Sequence, residues 1–279
     1  MKIGFHVSIS GGIDKSVMRA KELNINTFQI FTRNPRMWKA RELRSDEIKN
    51  FKEKRVEFKI FPVFSHMPYL PNFATPKEDV YEKSKKAFET EIKNCNRLEI
   101  PYIVTHLGSH LGTGIDEGIE RITNAINNVT EKFDKTPIIL LENTSGKSNE
   151  MGSTFEELSI IMEGINIESG VCLDTCHAFT KGYDIKSKEG LDKVLTKFEN
   201  IIGWKHLRLI HLNDSRGIMG SKIDRHQHIG LGEIGTEGFI NILNSRFASK
   251  PLIMETPVDE IRDDRENLSK VQEILDMRK

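Results

Sequence analysis

Cysteine is scarce in this chain: Cys95, Cys172 and Cys176 are the only three in 279 residues, with no C-x-x-C pair. An odd set without such a pair fits reduced thiols better than a disulfide framework or a cysteine-based zinc site. An excess of either charge is also missing, since 41 basic and 41 acidic side chains cancel. No global positive field announces a polyanionic partner, although a local basic groove is compatible with neutrality. Long hydrophobic runs are absent too. The N-terminal MKIGFHVSISGG has one lysine and a short apolar run ended by Gly11 and Gly12, too short for a signal segment or a membrane span. Nothing reads as a linker or a low-complexity tract. The expectation is a single domain over residues 1–279 in a cytoplasmic, membrane-free protein, with nothing that demands an oligomer and hence a monomer.

What is present is a repeated alternation. Eight short runs rich in Ile, Val, Leu and Phe predict strands: KIGFHV (2–7), NTFQIF (26–31), IFPVFSH (60–66), PYIVTHL (101–107), PIILLE (137–142), GVCLDT (170–175), HLRLIHL (206–212) and PLIMET (251–256). Helical spacing lies between them. The stretch 77–98 is amphipathic, and Ser153 with Glu156 has the pattern of a capping box. Eight strand–helix alternations predict an α/β protein, a (β/α)8 TIM barrel.

Such a barrel places its chemistry at the C-terminal ends of the strands. The first run ends near His6, the third at His66, the fourth at His106, the fifth at Glu142, the sixth at Asp174 with His177 just beyond, the seventh at His211 and the eighth at Glu255. A single His or Glu at a strand end is usually a hydrogen-bonded structural residue. Seven of them converging on one rim, all of metal-ligating type, point to a metal centre. His206 begins a strand on the opposite face and is assigned a structural role. Cys172 and Cys176, in GVCLDTCHAF beside Asp174 and His177, are assigned to packing. The remaining rim feature is DRHQHIGLGEIG (224–235), expected in a long loop after the seventh strand. There Asp224 and His226 can reach one ion, and they supply partners for His177.

The pattern resembles the endonuclease IV family of zinc-dependent apurinic/apyrimidinic (AP) endonucleases, from end to end. The resemblance rests on HVSISGG (6–12), FTRNPRMW (31–38), HMPYL (66–70), THLGSH (105–110), LLENTSG (140–146), LDTCHAFTKGYD (173–184), HLND (211–214), DRHQHIG (224–230) and METP (254–257). LDTCHAF and DRHxxIG are its most specific parts. It implies three Zn2+ per chain: one on His66, His106 and Glu142, a second on Glu142 as a bridge with Asp174, His211 and Glu255, and a third on His177, Asp224 and His226. It implies that Glu142 and Glu255 are catalytic. It implies hydrolysis of the phosphodiester 5′ to an abasic site in duplex DNA, leaving a 3′-hydroxyl and a 5′-deoxyribose phosphate, together with trimming of blocked 3′ ends. Arg36, Tyr69 and Leu70 would enter the gap left in the base stack, and Asn34, Lys181 and Arg225 would meet phosphates. His6 and His110 would stand behind the ligands or meet phosphate. Two departures from the family pattern touch no ligand: Leu107 replaces a usual proline, and Lys147-Ser148 a usual Gln-Gly.

Two other classes fit part of the pattern. A sugar isomerase or epimerase on the same barrel explains Glu142, Asp174, His211 and Glu255 but leaves His66, His106, Asp224 and His226 without work. A protein using zinc only for stability would usually have closed shells of four ligands, mostly cysteine and histidine, whereas only three protein ligands reach some of the ions here.

Overall fold

The computed structural model describes residues 1–277. Eight parallel strands follow one another around a barrel: β1 (Ile3–Phe5), β2 (Phe28–Ile30), β3 (Val63–His66), β4 (Tyr102–Thr105), β5 (Ile138–Glu142), β6 (Ser169–Asp174), β7 (Leu207–His211) and β10 (Leu252–Met254), which pairs with both β7 and β1. The seam between β1 and β2 closes through a parallel bridge of His6 to Gln29, with Val7 N donating to Gln29 O at 2.7 Å. Gly4 makes this closure possible. A Cβ at that position would lie 1.8 Å from the Thr27 carbonyl oxygen.

Helices α1 (Ile13–Glu22), α2 (Ser45–Glu57), α3 (Glu78–Leu98), α4 (Ile115–Thr130), α5 (Phe155–Gly164), α6 (Thr175–Lys181), α7 (Lys188–Ile201), α8 (Gly235–Asn244) and α9 (Asp264–Asp276) connect the strands and cover them. This is the expected (β/α)8 barrel. None of these helices is long and apolar enough to cross a membrane.

Strand alternation divides the apolar residues into two cores. The larger lies between strands and helices, and the smaller, inside the barrel, is made by Phe64, Val104, Leu140, Cys172, Leu209 and Ile253. Two residues further along each of these six strands stand His66, His106, Glu142, Asp174, His211 and Glu255. The side-chain period of 2 therefore stacks a polar layer directly on an apolar floor. Cys172 belongs to that floor, where burial pushes its thiol up to about 12, and this matches its assignment to packing.

Two local expectations are corrected. The cap of α5 lies one residue later than the Ser153/Glu156 pattern. Thr154 accepts from Glu157 N at 3.1 Å, and the Glu157 carboxylate returns to Gly152 N and Ser153 N at 2.8 and 3.0 Å. Glu156 faces outward, 3.0 Å from Lys197. The excursion after β7 is not a plain loop. It forms an antiparallel ribbon, β8 (Asp214–Ser215) with β9 (His226–Gln227), which folds Asp224 and His226 back over the barrel mouth. His206 closes a short 3-10 turn just before β7, at the far end of the barrel as expected.

Candidate metal centre

Glu142, fully buried at the end of β5, occupies the middle of the site. Its Oε2 lies 2.9 Å from His66 Nε2 and 3.3 Å from His106 Nε2, and its Oε1 lies 3.0 Å from His211 Nδ1. His211 Nδ1 is also 3.4 Å from Glu255 Oε2 and 3.9 Å from Asp174 Oδ2. Beyond Asp174, its Oδ2 is 3.5 Å from His226 Nε2, while Asp224 Oδ1 is 3.0 Å from His177 Nε2 and 3.9 Å from His226 Nε2. All nine residues selected from the sequence thus meet at the mouth.

They form three overlapping donor groups: His66, His106 and Glu142; Glu142, Asp174, His211 and Glu255; and Asp174, His177 and His226. The first two coincide with the sets implied by the resemblance. In the third, Asp174 joins His177 and His226, and Asp224, at the exposed edge, is the carboxylate nearest His177 Nε2. Asp174 is therefore shared, as Glu142 is.

The ring nitrogens show what this arrangement needs. His66 Nδ1 donates to Met67 O at 2.7 Å, His177 Nδ1 to Asn143 O at 2.9 Å, and His226 Nδ1 to Glu255 O at 3.1 Å. His211 Nε2 donates to Gln29 Oε1 at 2.9 Å. A neutral imidazole has only one N–H, so the second nitrogen of each ring offers a lone pair, and each of those nitrogens faces a carboxylate. His226 Nε2 is buried with no hydrogen-bond partner at all. Lone pairs facing carboxylates repel unless a proton or a cation lies between them. Mixed nitrogen and oxygen donors, with the far nitrogen of each ring held by a carbonyl, fit divalent cations of the zinc type.

Without a cation, protons must take that place, and the titration behaviour reflects it. Burial opposes charge on His177 and His211. For His177 the carboxylates of Asp174, Asp224 and Glu142 outweigh it, and for His211 Cys172, Glu255 and Glu142 do, so both are held well above the ordinary imidazole value. Burial likewise opposes charge on Glu142 and Glu255, yet the surrounding histidines hold both well below the usual carboxylate range. Asp224 is brought down to about 2: burial works against this, and His177 prevails.

Several supporting residues escaped the sequence reading. Gln29, fully buried in the middle of β2, accepts from His211 and donates through Nε2 to Glu255 Oε1 at 2.7 Å. It also lies 3.0 Å from His6 Nδ1, which in turn is 3.3 Å from Glu255 Oε1. His6 thus stands behind Glu255. Asn213 donates to Asp174 Oδ2 at 2.7 Å and accepts from Glu255 N at 2.7 Å; Asn143 accepts from Asp174 N at 2.6 Å. Amides carry little metal signal in a sequence. The available clue was position, since the second run, NTFQIF, is the only one of the eight without an ionisable side chain.

The remaining candidates surround the mouth. Tyr69 and Leu70 are exposed after β3, and the Tyr69 ring meets Phe31 edge-on at 5.2 Å, with Phe31 in turn edge-on to His66 at 5.8 Å. Arg36 is exposed on a turn shaped by Asn34, whose Oδ1 accepts from Arg36 N at 3.0 Å, and by Arg33, which donates to Trp38 O at 3.0 Å. Lys181 ends α6 beside Gly146, and Arg225 is exposed next to His226. His110 is not drawn into the cluster. Its Nδ1 accepts from Gly114 N at 3.0 Å and shapes the turn before α4.

Fold and site together define a TIM-barrel protein with donor groups for several cations at the C-terminal mouth. Residues 17–277 match the family of xylose isomerase-like TIM barrels. The "Probable endonuclease 4" of Nitrosopumilus maritimus is 49% identical over 98% of this chain and 99% of that protein. That of Methanoculleus marisnigri is 48% identical over 98% of each. The crystal structure of endonuclease IV from Thermus thermophilus superposes with a TM-score of 0.88 at 31% identity, covering 99% of this chain and 100% of that one. The chain belongs to the endonuclease IV family and is an enzyme of the nuclease class.

Proposed function

We propose that the chain is a DNA repair enzyme that hydrolyses the phosphodiester 5′ to an abasic site in duplex DNA, using three zinc ions. The observation that carries this reading is the sharing of donors. Glu142 and Asp174 each belong to two of the three groups, so cations held there would be neighbours. Zinc ions at such spacing lower the pKa of water toward ~7 and stabilise both the attacking and the leaving oxygen of a phosphoryl displacement.

The chain's own residues supply the rest. His66 and His106 with Glu142, the set Glu142, Asp174, His211 and Glu255, and His177 with Asp174, Asp224 and His226 would hold the ions. Glu142 and Glu255 are the carboxylates next to the reacting phosphate. Arg36, Tyr69 and Leu70 offer two stackable planes and an apolar wedge to a stack that lacks a base, where unstacking costs least. Asn34, Lys181 and Arg225 suit phosphates and confer no sequence preference. Trimming of blocked 3′ ends would use the same site, since the bond broken is of the same kind. The enzyme would act as a monomer.

The sugar isomerase alternative would need a single divalent ion and gives no work to His66, His106, Asp224 or His226. Metal counting separates the two.

The deciding experiment is a nicking assay on a duplex with one tetrahydrofuran residue, which lacks the aldehyde that a Schiff-base lyase requires. Cleavage 5′ to the analogue, leaving a 3′-hydroxyl that a polymerase extends, is expected. Resistance of the analogue while a natural abasic site is cut, or a borohydride-trapped protein–DNA adduct, would overturn hydrolysis.

A further inference from the structure

His228 lies two residues past His226 and is fully buried, yet it faces none of the three donor groups. Its Nδ1 accepts from Asn267 Nδ2 at 3.0 Å, so its Nε2 carries the proton and donates to Asp259 Oδ1 at 2.9 Å. The orientation of Asn267 is not arbitrary, because its Oδ1 accepts from Ile229 N at 3.1 Å. Both ring nitrogens of His228 are thereby used, and the ring is a bridge, not a ligand.

The bridge joins two segments that both reach the metal centre. One is the strap that continues from β9. The other is the segment after β10, which begins with Glu255 and turns at Asp259, whose Oδ1 also accepts from Ile261 N at 2.9 Å. Arg262 adds a bond to Ile229 O at 2.9 Å. The same two segments meet at the site itself, where His226 Nδ1 donates to Glu255 O at 3.1 Å. That bond orients the His226 ring, so any slip of the strap along the segment turns Nε2 away from Asp174. Further along, Asp214 gathers Gly230 N and Gly232 N at 2.9 and 3.0 Å. His228 holds the stretch between that anchor and His226.

We propose that His228 is a positioning residue for the third donor group: by locking the strap to the segment after β10 it aims His226 at Asp174 and sets how tightly that group holds its cation. This rests on the metal reading above. Supports of bound imidazoles typically alter metal affinity by about 10–100-fold.

The test is zinc competition against a graded chelator on full-length protein, with zinc content and Tm measured for wild type, His228→Ala, His228→Gln and Asp259→Ala. His228→Ala should lose one ion at a chelator concentration at least about tenfold lower than wild type while keeping the other two. Gln can donate to Asp259 and accept from Asn267, so His228→Gln should restore most of the loss. Asp259→Ala, altered at the surface, should shift the same ion in the same direction, and it decides the matter should His228→Ala fail to fold. Retention of all ions with wild-type tightness in both Ala variants would overturn the proposal, as would parallel loss of all ions with the fold. Wild-type protein that binds no zinc would overturn the metal reading itself, and that outcome is read from the wild-type sample alone.

Discussion

Glu142 Oε1 lies 3.0 Å from His211 Nδ1, and neither group touches solvent. The opposite oxygen of the same carboxylate faces His66 at 2.9 Å, so one side chain joins the ends of β3, β5 and β7. Replacing Glu142 by Ala therefore removes a donor from two groups at once. Nicking should fall by about 1000-fold, in the range of losing a preorganised electrostatic group at a reaction centre. Zinc content should drop by more than one ion per chain. Near-normal nicking with full zinc content would remove Glu142 from its bridging role.

The pH dependence of the metal-free protein follows from the directions of its titrations. His177 and His211 lie above their ordinary value of 6.5, so their contribution to stability is complete below about 6.5 and is lost as pH rises through the folded values. Glu142 and Glu255 lie below 4.5, so theirs is present above about 4.5 and is lost as pH falls through the folded values. These four groups contribute most between about pH 4.5 and 6.5. His6 and His106, lowered by burial, add stability as pH rises toward about 6.5 and nothing beyond it, so the Tm of chelated protein should decline from about pH 6.5 toward pH 8 and above. Zinc replaces the protons, so loaded protein should show no such decline, and loading at pH 7 should release protons measurable in a weakly buffered titration. A metal-free Tm that rises through pH 7 to 8 would contradict these assignments.

Gln29 offers a test confined to a residue that ligates nothing. Gln29→Leu keeps the volume but removes the acceptor for His211 Nε2 and the donor to Glu255. Affinity for the ion shared by His211 and Glu255 should weaken by about 10–100-fold, the usual scale for such support. Equilibrium dialysis at limiting zinc would measure it, and unchanged affinity would assign Gln29 to barrel closure alone.

Arg36 and Tyr69 stand outside the donor groups, and this separates recognition from chemistry. Arg36→Ala and Tyr69→Ala should each narrow the difference in affinity between abasic and intact duplexes, by about 1–3 kcal/mol for loss of a stacking contact, with zinc content unchanged. Fluorescence anisotropy on paired duplexes reads the first quantity and elemental analysis the second. Zinc loss in either variant would place these residues in the wrong part of the site.

The sequence by itself determined the barrel and most of its rim. A strand points every second residue to the same side, so His66, Glu142 and Asp174, at the ends of the runs IFPVFSH, PIILLE and GVCLDT, stand above the Phe64, Leu140 and Cys172 two positions earlier. Any one such strand end says little, and the information lies in seven of them carrying ligand-type residues together. Three matters were decided only in three dimensions. The ribbon β8–β9 arises from two-residue pairings too short to leave a periodic signal, and it brings Asp174 into the third group. Gln29 and Asn213 work through amides, whose role depends on which groups lie within about 3 Å rather than on residue type. His228 looks like one more ligand beside His226, yet Asn267 and Asp259, distant in sequence, claim both of its nitrogens and make it a brace. Those contacts join segments separated by 31 and 39 residues, and only the closing of the barrel brings them together.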